Sequence, residues 1–117
     1  MLITIDPTSR EPLYEQVAAS VRGAIVHGGV APGERLPTAR ELSASLDINL
    51  HTVLRAYQML RDEGLVELRR GRGAVVTGAA PDRAELVAAI DALVDLARRI
   101  GITPDVLTAE ISERWTR

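Results

Sequence analysis

Residues 36–76 read LPTARELSASLDINLHTVLRAYQMLRDEGLVELRRGRGAVV, a stretch in which helical patterns are followed by a β pattern. Two short helical patterns lie a few residues apart, and two β-prone runs around a basic, glycine-containing turn follow them. Helices joined by so short a gap cross steeply, as in a helix-turn-helix. The order of these parts predicts a winged helix-turn-helix and makes sequence-specific DNA binding the leading hypothesis.

Capping residues mark where both helices begin. Thr38 and Glu41 form a T-x-x-E pattern, which predicts the start of the first helix. Asn49 suits the N-cap of the second helix, which we place at residues 50–63, and Gly64 suits the left-handed residue that ends it. Apolar residues recur at helical spacing in each helix: Ala39, Leu42 and Leu46 in the first, and Val53, Ala56, Tyr57 and Leu60 in the second.

A β-hairpin with a basic tip is predicted after the second helix. The runs 65–68 and 74–77 are β-prone, and RRGRG lies between them at 69–73. Gly71 and Gly73 permit positive φ and close approach of the backbone to DNA, while arginines suit the negative potential of a narrow minor groove. An isolated basic turn is more often a solvated loop, but its place directly after a helix-turn-helix favours a wing.

Three segments in combination resemble one protein family: LPTAREL at 36–42, HTVLRAYQMLRDEGLVE at 51–67 and RRGRGAVV at 69–76. They are similar to the DNA-binding domain of the GntR family of bacterial transcription regulators, and the resemblance covers residues 12–77. It implies that the first segment, the start of the recognition helix and the wing contact DNA. The residues predicted to bind DNA are Arg35, Thr38, Arg40, Asn49, Leu50, His51, Thr52, Arg55, Arg70, Gly71, Arg72 and Gly73.

The recognition helix departs from the family pattern at two positions. Leu50 and Leu54 are apolar where the resembled family usually has polar residues or proline. Apolar side chains there suit contact with thymine methyl groups, or a place at the rim of the interface. The sequence leaves both alternatives open.

A further helix is predicted ahead of the helix-turn-helix. Apolar side chains keep helical spacing over residues 12–27, and Gly28-Gly29 ends the pattern. The connector at 30–37 is rich in turn residues. In the resembled family this first helix supports the other two, and we expect the same here.

The chain is predicted to divide into a winged domain at residues 1–77, a linker at 78–81 and a two-helix segment at 82–117. Asp82 and Glu85 form a D-x-x-E start for the first helix of that segment. Its apolar side chains, at steps of three and four residues, predict an interaction stripe. The stripe and its continuation on the last helix comprise Leu86, Ile90, Leu93, Val94, Ala97, Ile100, Leu107, Ile111 and Trp115.

Two helices of this size cannot cover the stripe by themselves. It therefore needs either a second copy of the chain or, within one chain, the winged domain. A two-helix tail resembles the short YtrA-type subfamily of GntR regulators, which implies a homodimer acting as a repressor on a palindromic operator. The predicted fold class is mainly α with a small β-hairpin, a winged helix-turn-helix domain followed by a two-helix dimerisation tail.

Composition narrows the class of protein. The chain has 117 residues and no cysteine, which excludes disulfides and thiolate metal sites. Its net charge is −2 at pH 7, and every basic residue is arginine, which suits phosphate and guanine contacts but is equally well explained by a GC-rich genome. No segment has the apolar length of a membrane span and none resembles a leader, so we expect a cytoplasmic protein without a membrane partner.

Catalysis and protein binding are the rival functions. His27 and His51 have no metal-ligand spacing to other residues, so we predict no catalytic residue, no metal site and no cofactor. A winged helix that binds another protein, without specific DNA binding, is the stronger rival because the net charge is low. The sequence leaves open whether a small-molecule effector binds, and a site between the C-terminal helices of a dimer is the hypothesis for one.

Overall fold

The computed structural model describes residues 2–117 and contains, in that range, five α-helices and two β-strands. Met1, the first residue of the predicted winged domain, lies outside the described residues. The mainly helical fold with one hairpin confirms the predicted mainly α fold class with a winged helix-turn-helix, whereas dimerisation through the two-helix tail stays a prediction. The elements are α1 (Leu13–Val26), α2 (Ala39–Leu46), α3 (Leu50–Asp62), β1 (Val66–Arg69), β2 (Gly73–Val76), α4 (Ala80–Ile100) and α5 (Pro104–Trp115).

The described chain forms two compact units, which we call the winged unit, extending to Glu85, and the tail unit, Leu86–Arg117. In the winged unit α1, α2 and β1 all contact α3, so α3 is the central element. Arg22 of α1 and Glu63 at the end of α3 form a two-pronged ion pair at 2.7 Å, with side chains only 13% and 16% exposed. Completely buried side chains form the centre of the core: Val17, Ala18, Val21, Val53, Ala56, Leu60 and Leu65.

α2 and α3 form the predicted helix-turn-helix. The Thr38 hydroxyl accepts a hydrogen bond from the Glu41 N–H at 3.1 Å and caps α2. Asp47 ends α2 with φ 54° and ψ 50°, a left-handed conformation that short polar side chains tolerate. The Asn49 side-chain oxygen accepts from the His51 N–H at 2.8 Å and caps α3. Both predicted caps are confirmed, and only residues 47–49 separate the two helices.

Gly64 ends α3 as predicted, with a positive φ of 80°. The next N–H, of Leu65, donates back to the Leu60 carbonyl at 3.0 Å, which is the hydrogen bond of a Schellman-type helix end. Leu65 therefore completes the helix end, and β1 begins at Val66, one residue later than the sequence predicted.

β1 and β2 pair antiparallel, with Arg69 opposite Gly73 at the tip. The connector before α2 adds a third extended segment to this hairpin. Arg35 forms a β-bridge with Val75, and the Leu36 N–H donates to a β2 carbonyl at 2.8 Å. The sequence predicted only a turn-rich connector here, because its pairing partner lies some forty residues further along the chain.

The boundary between the units falls inside α4, between Glu85 and Leu86. The sequence instead predicted a linker at residues 78–81, ahead of the helix. α4 begins at Ala80, two residues before the predicted start at Asp82. Ala80 and Ala84 are completely buried in the winged unit, because their small side chains allow the helix to approach the core closely. Arg83 donates to a backbone carbonyl at the end of α3 at 3.2 Å, where a cation also favours the helix dipole.

The tail unit contains the rest of α4 together with α5. The Thr103 hydroxyl accepts from the Val106 N–H at 3.4 Å, and Pro104 is the first residue of α5. α5 has no buried residue. Within the described range, none of the helices combines the length and the apolar character needed to cross a membrane.

Candidate nucleic-acid interface

The start of α2, the outer side of α3 and the tip of the hairpin meet around one surface cleft of about 470 Å³. Thr38 lines it from the start of α2, Leu54 and Gln58 from α3, and Arg70 and Gly73 from the tip. The fold thus brings together three segments that the sequence predicted to contact DNA. This convergence is the arrangement of a recognition helix beside a wing.

The first turn of α3 offers polar groups of unequal access. Asn49 and His51 are exposed, whereas Leu50 and Thr52 are half-buried. The predicted DNA contacts at Leu50 and Thr52 are therefore restricted to the part of each side chain that solvent reaches. Asn49 and His51 present the larger polar surface.

Capping leaves donors free on two predicted contact residues. The Thr38 hydroxyl oxygen and the Asn49 carbonyl oxygen each accept a backbone N–H. The hydroxyl proton and the amide NH₂ donate to no group in the described chain. Phosphate oxygens are acceptors, so these exposed donors suit the DNA backbone.

An apolar patch lies between the recognition helix and the wing. Leu54 of α3 and Leu68 of β1 both line the cleft and are 39% and 42% exposed. The neighbouring Tyr57 is turned inward, and its hydroxyl donates to the Pro37 carbonyl at 2.6 Å. Burial, with a smaller contribution from the Glu41 carboxylate, raises the pKa of Tyr57. Sequence reasoning missed Leu68, because the alternation of a strand does not reveal which neighbour faces it.

The wing carries two arginines that no described residue engages. The side chains of Arg70 and Arg72 are exposed and form no hydrogen bond or ion pair within residues 2–117. Arg69 differs, because it pairs with Glu67 at 2.8 Å. Gly71 has a φ of 78°, a conformation that L side chains rarely adopt. The free positive charge of the wing is therefore concentrated at its tip.

Arg35, Arg69 and Arg72 line a second, larger cleft of about 800 Å³ beside the hairpin. Arg35 reaches this position because the connector pairs with β2. Arg40 is separate from this cluster and lies exposed in the first turn of α2. Arginines thus line the cleft beside the hairpin together with one carboxylate, that of Glu67, and a further arginine lies at the start of α2.

Arg55 is held against an aromatic ring. Its guanidinium carbon lies 3.8 Å from the centre of the Tyr14 ring, which α1 supplies. Arg55 is exposed, whereas Tyr14 is half-buried against the core. Sequence reasoning missed Tyr14, since nothing in the local pattern of α1 indicates that α3 places an arginine over it.

The tail unit leaves most of the predicted stripe uncovered. Ala97 is the exception, being only 6% exposed, so it has little surface left to offer a partner. Val94 and Leu107 are half-buried. Leu96, which the sequence prediction omitted, is exposed beside the stripe. The remaining predicted stripe residues are exposed: Leu86, Ile90, Leu93, Ile100, Ile111 and Trp115.

The described residues contain no cluster of three or more histidine, aspartate or glutamate side chains that could hold a metal ion.

Residues 13–76, the helix-turn-helix with its supporting helix and wing, match the model of the family described as bacterial regulatory proteins, gntR family. The chain belongs to the GntR family. Membership confirms the resemblance and places the chain with transcriptional regulators rather than with enzymes.

Similar GntR proteins include the transcriptional repressor YtrA of Bacillus subtilis, 40% identical over 76 residues. That match covers 65% of this chain and 58% of the repressor's length. YtrA from Sulfolobus acidocaldarius, a GntR-family transcription factor of known structure, is 35% identical with a TM-score of 0.63. The alignment covers 80% of this chain and 99% of that chain.

A further solved structure that is similar to this chain contains DNA. The DNA-binding domain of AraR, in complex with its operator ORX1, is 29% identical with a TM-score of 0.57. The alignment covers 63% of this chain and 92% of the AraR domain. The winged unit therefore has a fold that, in the AraR complex, binds operator DNA.

Proposed function

We propose that this chain is a cytoplasmic transcriptional repressor that binds a palindromic operator as a homodimer. The observation that carries the proposal is the meeting of the start of α2, α3 and the wing around one cleft, with Arg70 and Arg72 unengaged at the wing tip. Similarity to the YtrA repressor and to operator-bound AraR supports the DNA-binding part.

In the proposed complex α3 enters the major groove and the wing tip the adjacent minor groove. Positive φ at Gly71 and the lack of a side chain there allow the wing backbone to approach DNA closely. Arg70 and Arg72 supply charge for the minor groove and its phosphates. Thr38, Arg40 and Asn49 supply donors for the backbone phosphates that position α3.

The exposed stripe of the tail unit supports the homodimer. Exposed apolar side chains at helical spacing offer a surface that a second copy could cover with the same residues. A twofold dimer would set the two recognition helices about one duplex turn, roughly 34 Å, apart. The twofold symmetry of such a dimer requires an operator with two inverted half-sites.

Selection from randomised duplexes, followed by titration of the selected site at several salt concentrations, tests DNA binding. We expect affinity to fall steeply as salt rises, because arginine contacts release counterions from phosphates. Replacing Arg70 and Arg72 together by alanine should weaken binding at least tenfold and reduce the salt slope. The matched control replaces Arg61 and Arg117 by alanine. It removes the same amount of positive charge from positions that do not line the cleft.

Two results would contradict the proposal. The control pair weakening binding as much as the wing pair would mean that net charge, and not the wing, binds DNA. Complete absence of salt-dependent DNA binding would favour a winged helix that binds another protein.

An effector between the tail helices stays a prediction, and a thermal-shift screen of small molecules against the whole chain tests it.

A further inference from the structure

Tyr14 and Arg55 form a contact between two helices on the flank of the recognition helix. α1 packs along α3, and this packing brings the Tyr14 ring beneath the Arg55 guanidinium, 3.8 Å from ring centre to guanidinium carbon. At that distance the cation lies on the negative face of the ring. Tyr14 itself packs against the core and is half-buried, so the ring is a firm support.

The stack occupies the face of the guanidinium and leaves its edges available. Arg55 is exposed and, within the described residues, its guanidinium donates no hydrogen bond and forms no ion pair. A guanidinium has five N–H donors in its plane, and none of them is needed for stacking on a ring. The contact therefore orients the group without using its hydrogen-bonding capacity.

The position of Arg55 on α3 indicates which DNA group it meets. Leu54 and Gln58 line the cleft on the side of the wing, whereas Arg55 lies on the side of α1. When a helix lies in the major groove, its flanks face the two sugar-phosphate backbones that border the groove. With α3 in the major groove, Arg55 would therefore face a backbone phosphate on the border opposite the wing.

We propose that Tyr14 is a positioning residue for operator binding, whose ring holds the Arg55 guanidinium ready to bind a backbone phosphate. The inference rests on the proposed DNA-binding function and adds a residue outside the helix-turn-helix to it. An arginine side chain loses much rotational freedom when it binds, and stacking removes part of that freedom beforehand. Tyr14 thus strengthens binding through Arg55 rather than by its own contact with DNA.

Two substitutions of Tyr14 separate the ring from its hydroxyl. Tyr14→Phe keeps the aromatic face, so operator affinity should stay within twofold of that of the unaltered chain. Tyr14→Leu keeps apolar packing but removes the face, so affinity should fall three- to tenfold. The thermal midpoint of each variant is measured alongside, and Tyr14→Met replaces Tyr14→Leu if the leucine variant melts early.

A comparison of Tyr14→Leu and Arg55→Ala, singly and together, shows whether Tyr14 acts by positioning Arg55 or only by stabilising the fold. Arg55→Ala should weaken binding and lower the salt slope by about one, as expected for one lost phosphate contact. Adding Tyr14→Leu to Arg55→Ala should cause no further loss, because the group that the ring positions is already gone. If Tyr14 had a purely structural role, Tyr14→Leu would lower operator affinity by the same factor in the unaltered chain and in Arg55→Ala.

Neutral methylphosphonate linkages in the operator locate the phosphate directly. One linkage bordering the major groove should weaken the unaltered chain yet leave Arg55→Ala unaffected. Equal losses in both backgrounds, or Tyr14→Phe as harmful as Tyr14→Leu, would overturn the inference. Failure of the unaltered chain to select any operator would instead refute the proposed function, so the two failures are distinguishable.

Discussion

The winged unit and the tail unit differ in what they do with apolar side chains. The winged unit buries residues from every one of its elements, and Val17, Val53 and Leu60 have no exposed surface. In the tail unit only Ala97 is buried, while Leu93, Ile100 and other apolar side chains are exposed. Burial of apolar area is the main stabilising contribution to folding. One unit therefore has a core of its own, and the other leaves most of its apolar side chains exposed.

The largest effect that this contrast predicts is in the core. Leu60→Ala should lower the free energy of unfolding of the winged unit by about 4 kcal/mol, because it leaves a cavity in a completely buried place. Denaturant unfolding measures the loss. Leu54→Ala is the matched control, with the same atoms removed from an exposed position of the same helix, and should cost under about 1 kcal/mol. Equal losses would mean that the core is not centred on α3.

The ion pair between α1 and α3 gives the next effect. Glu63→Ala should destabilise the winged unit by about 3 kcal/mol, because Arg22 would keep its charge in a largely buried place without this carboxylate. The adjacent Asp62 pairs with Arg61 at 3.3 Å with both side chains well exposed, so Asp62→Ala should change stability little. Thermal melts of the two variants make the comparison. A large loss for Asp62→Ala would show that helix-end charge rather than burial sets the effect.

For the stripe of the tail unit, we expect a substitution to change the assembly of the protein rather than its folding. Leu93→Asp should convert the proposed dimer to a monomer and weaken operator binding at least tenfold, about 1.4 kcal/mol, because the half-sites are no longer bound together. Sedimentation and titration of the selected operator measure the two effects. Ala88→Asp is the control, since it adds the same charge to an exposed position on the opposite side of α4.

Unchanged mass of the Leu93→Asp variant would contradict the proposed use of the stripe between copies. It would leave internal packing of the stripe as the explanation. The same mass change in Ala88→Asp would show that added charge, rather than the stripe, controls assembly.

The smallest effect concerns a buried polar group. Tyr57→Phe removes the hydroxyl that donates to the Pro37 carbonyl at 2.6 Å, which should cost about 1 kcal/mol. Thermal unfolding measures it, with Tyr14→Phe as the matched control, since the Tyr14 hydroxyl forms no hydrogen bond within the described residues and its loss should leave the midpoint nearly unchanged. A cost no larger than that of the control would mean that water replaces the lost hydroxyl.

Local features of this chain were predictable from its sequence. Thr38 and Asn49 cap their helices, and Gly64 ends α3, because each acts within about four residues of itself. The hairpin, the helical spacing of the core residues and the exposed stripe also follow from short-range pattern. The family resemblance came from the same segments, and residues 13–76 match the family.

Contacts between distant segments were decided only by the tertiary structure. Pairing of the connector brings Arg35 to the wing, and packing of α1 on α3 brings Tyr14 under Arg55. Burial of Ala80 in the winged unit moves the boundary between the units into α4. The sequence determines which surfaces each element carries, because caps and periodicity are local. Which of those surfaces meet depends on how all the elements pack at once.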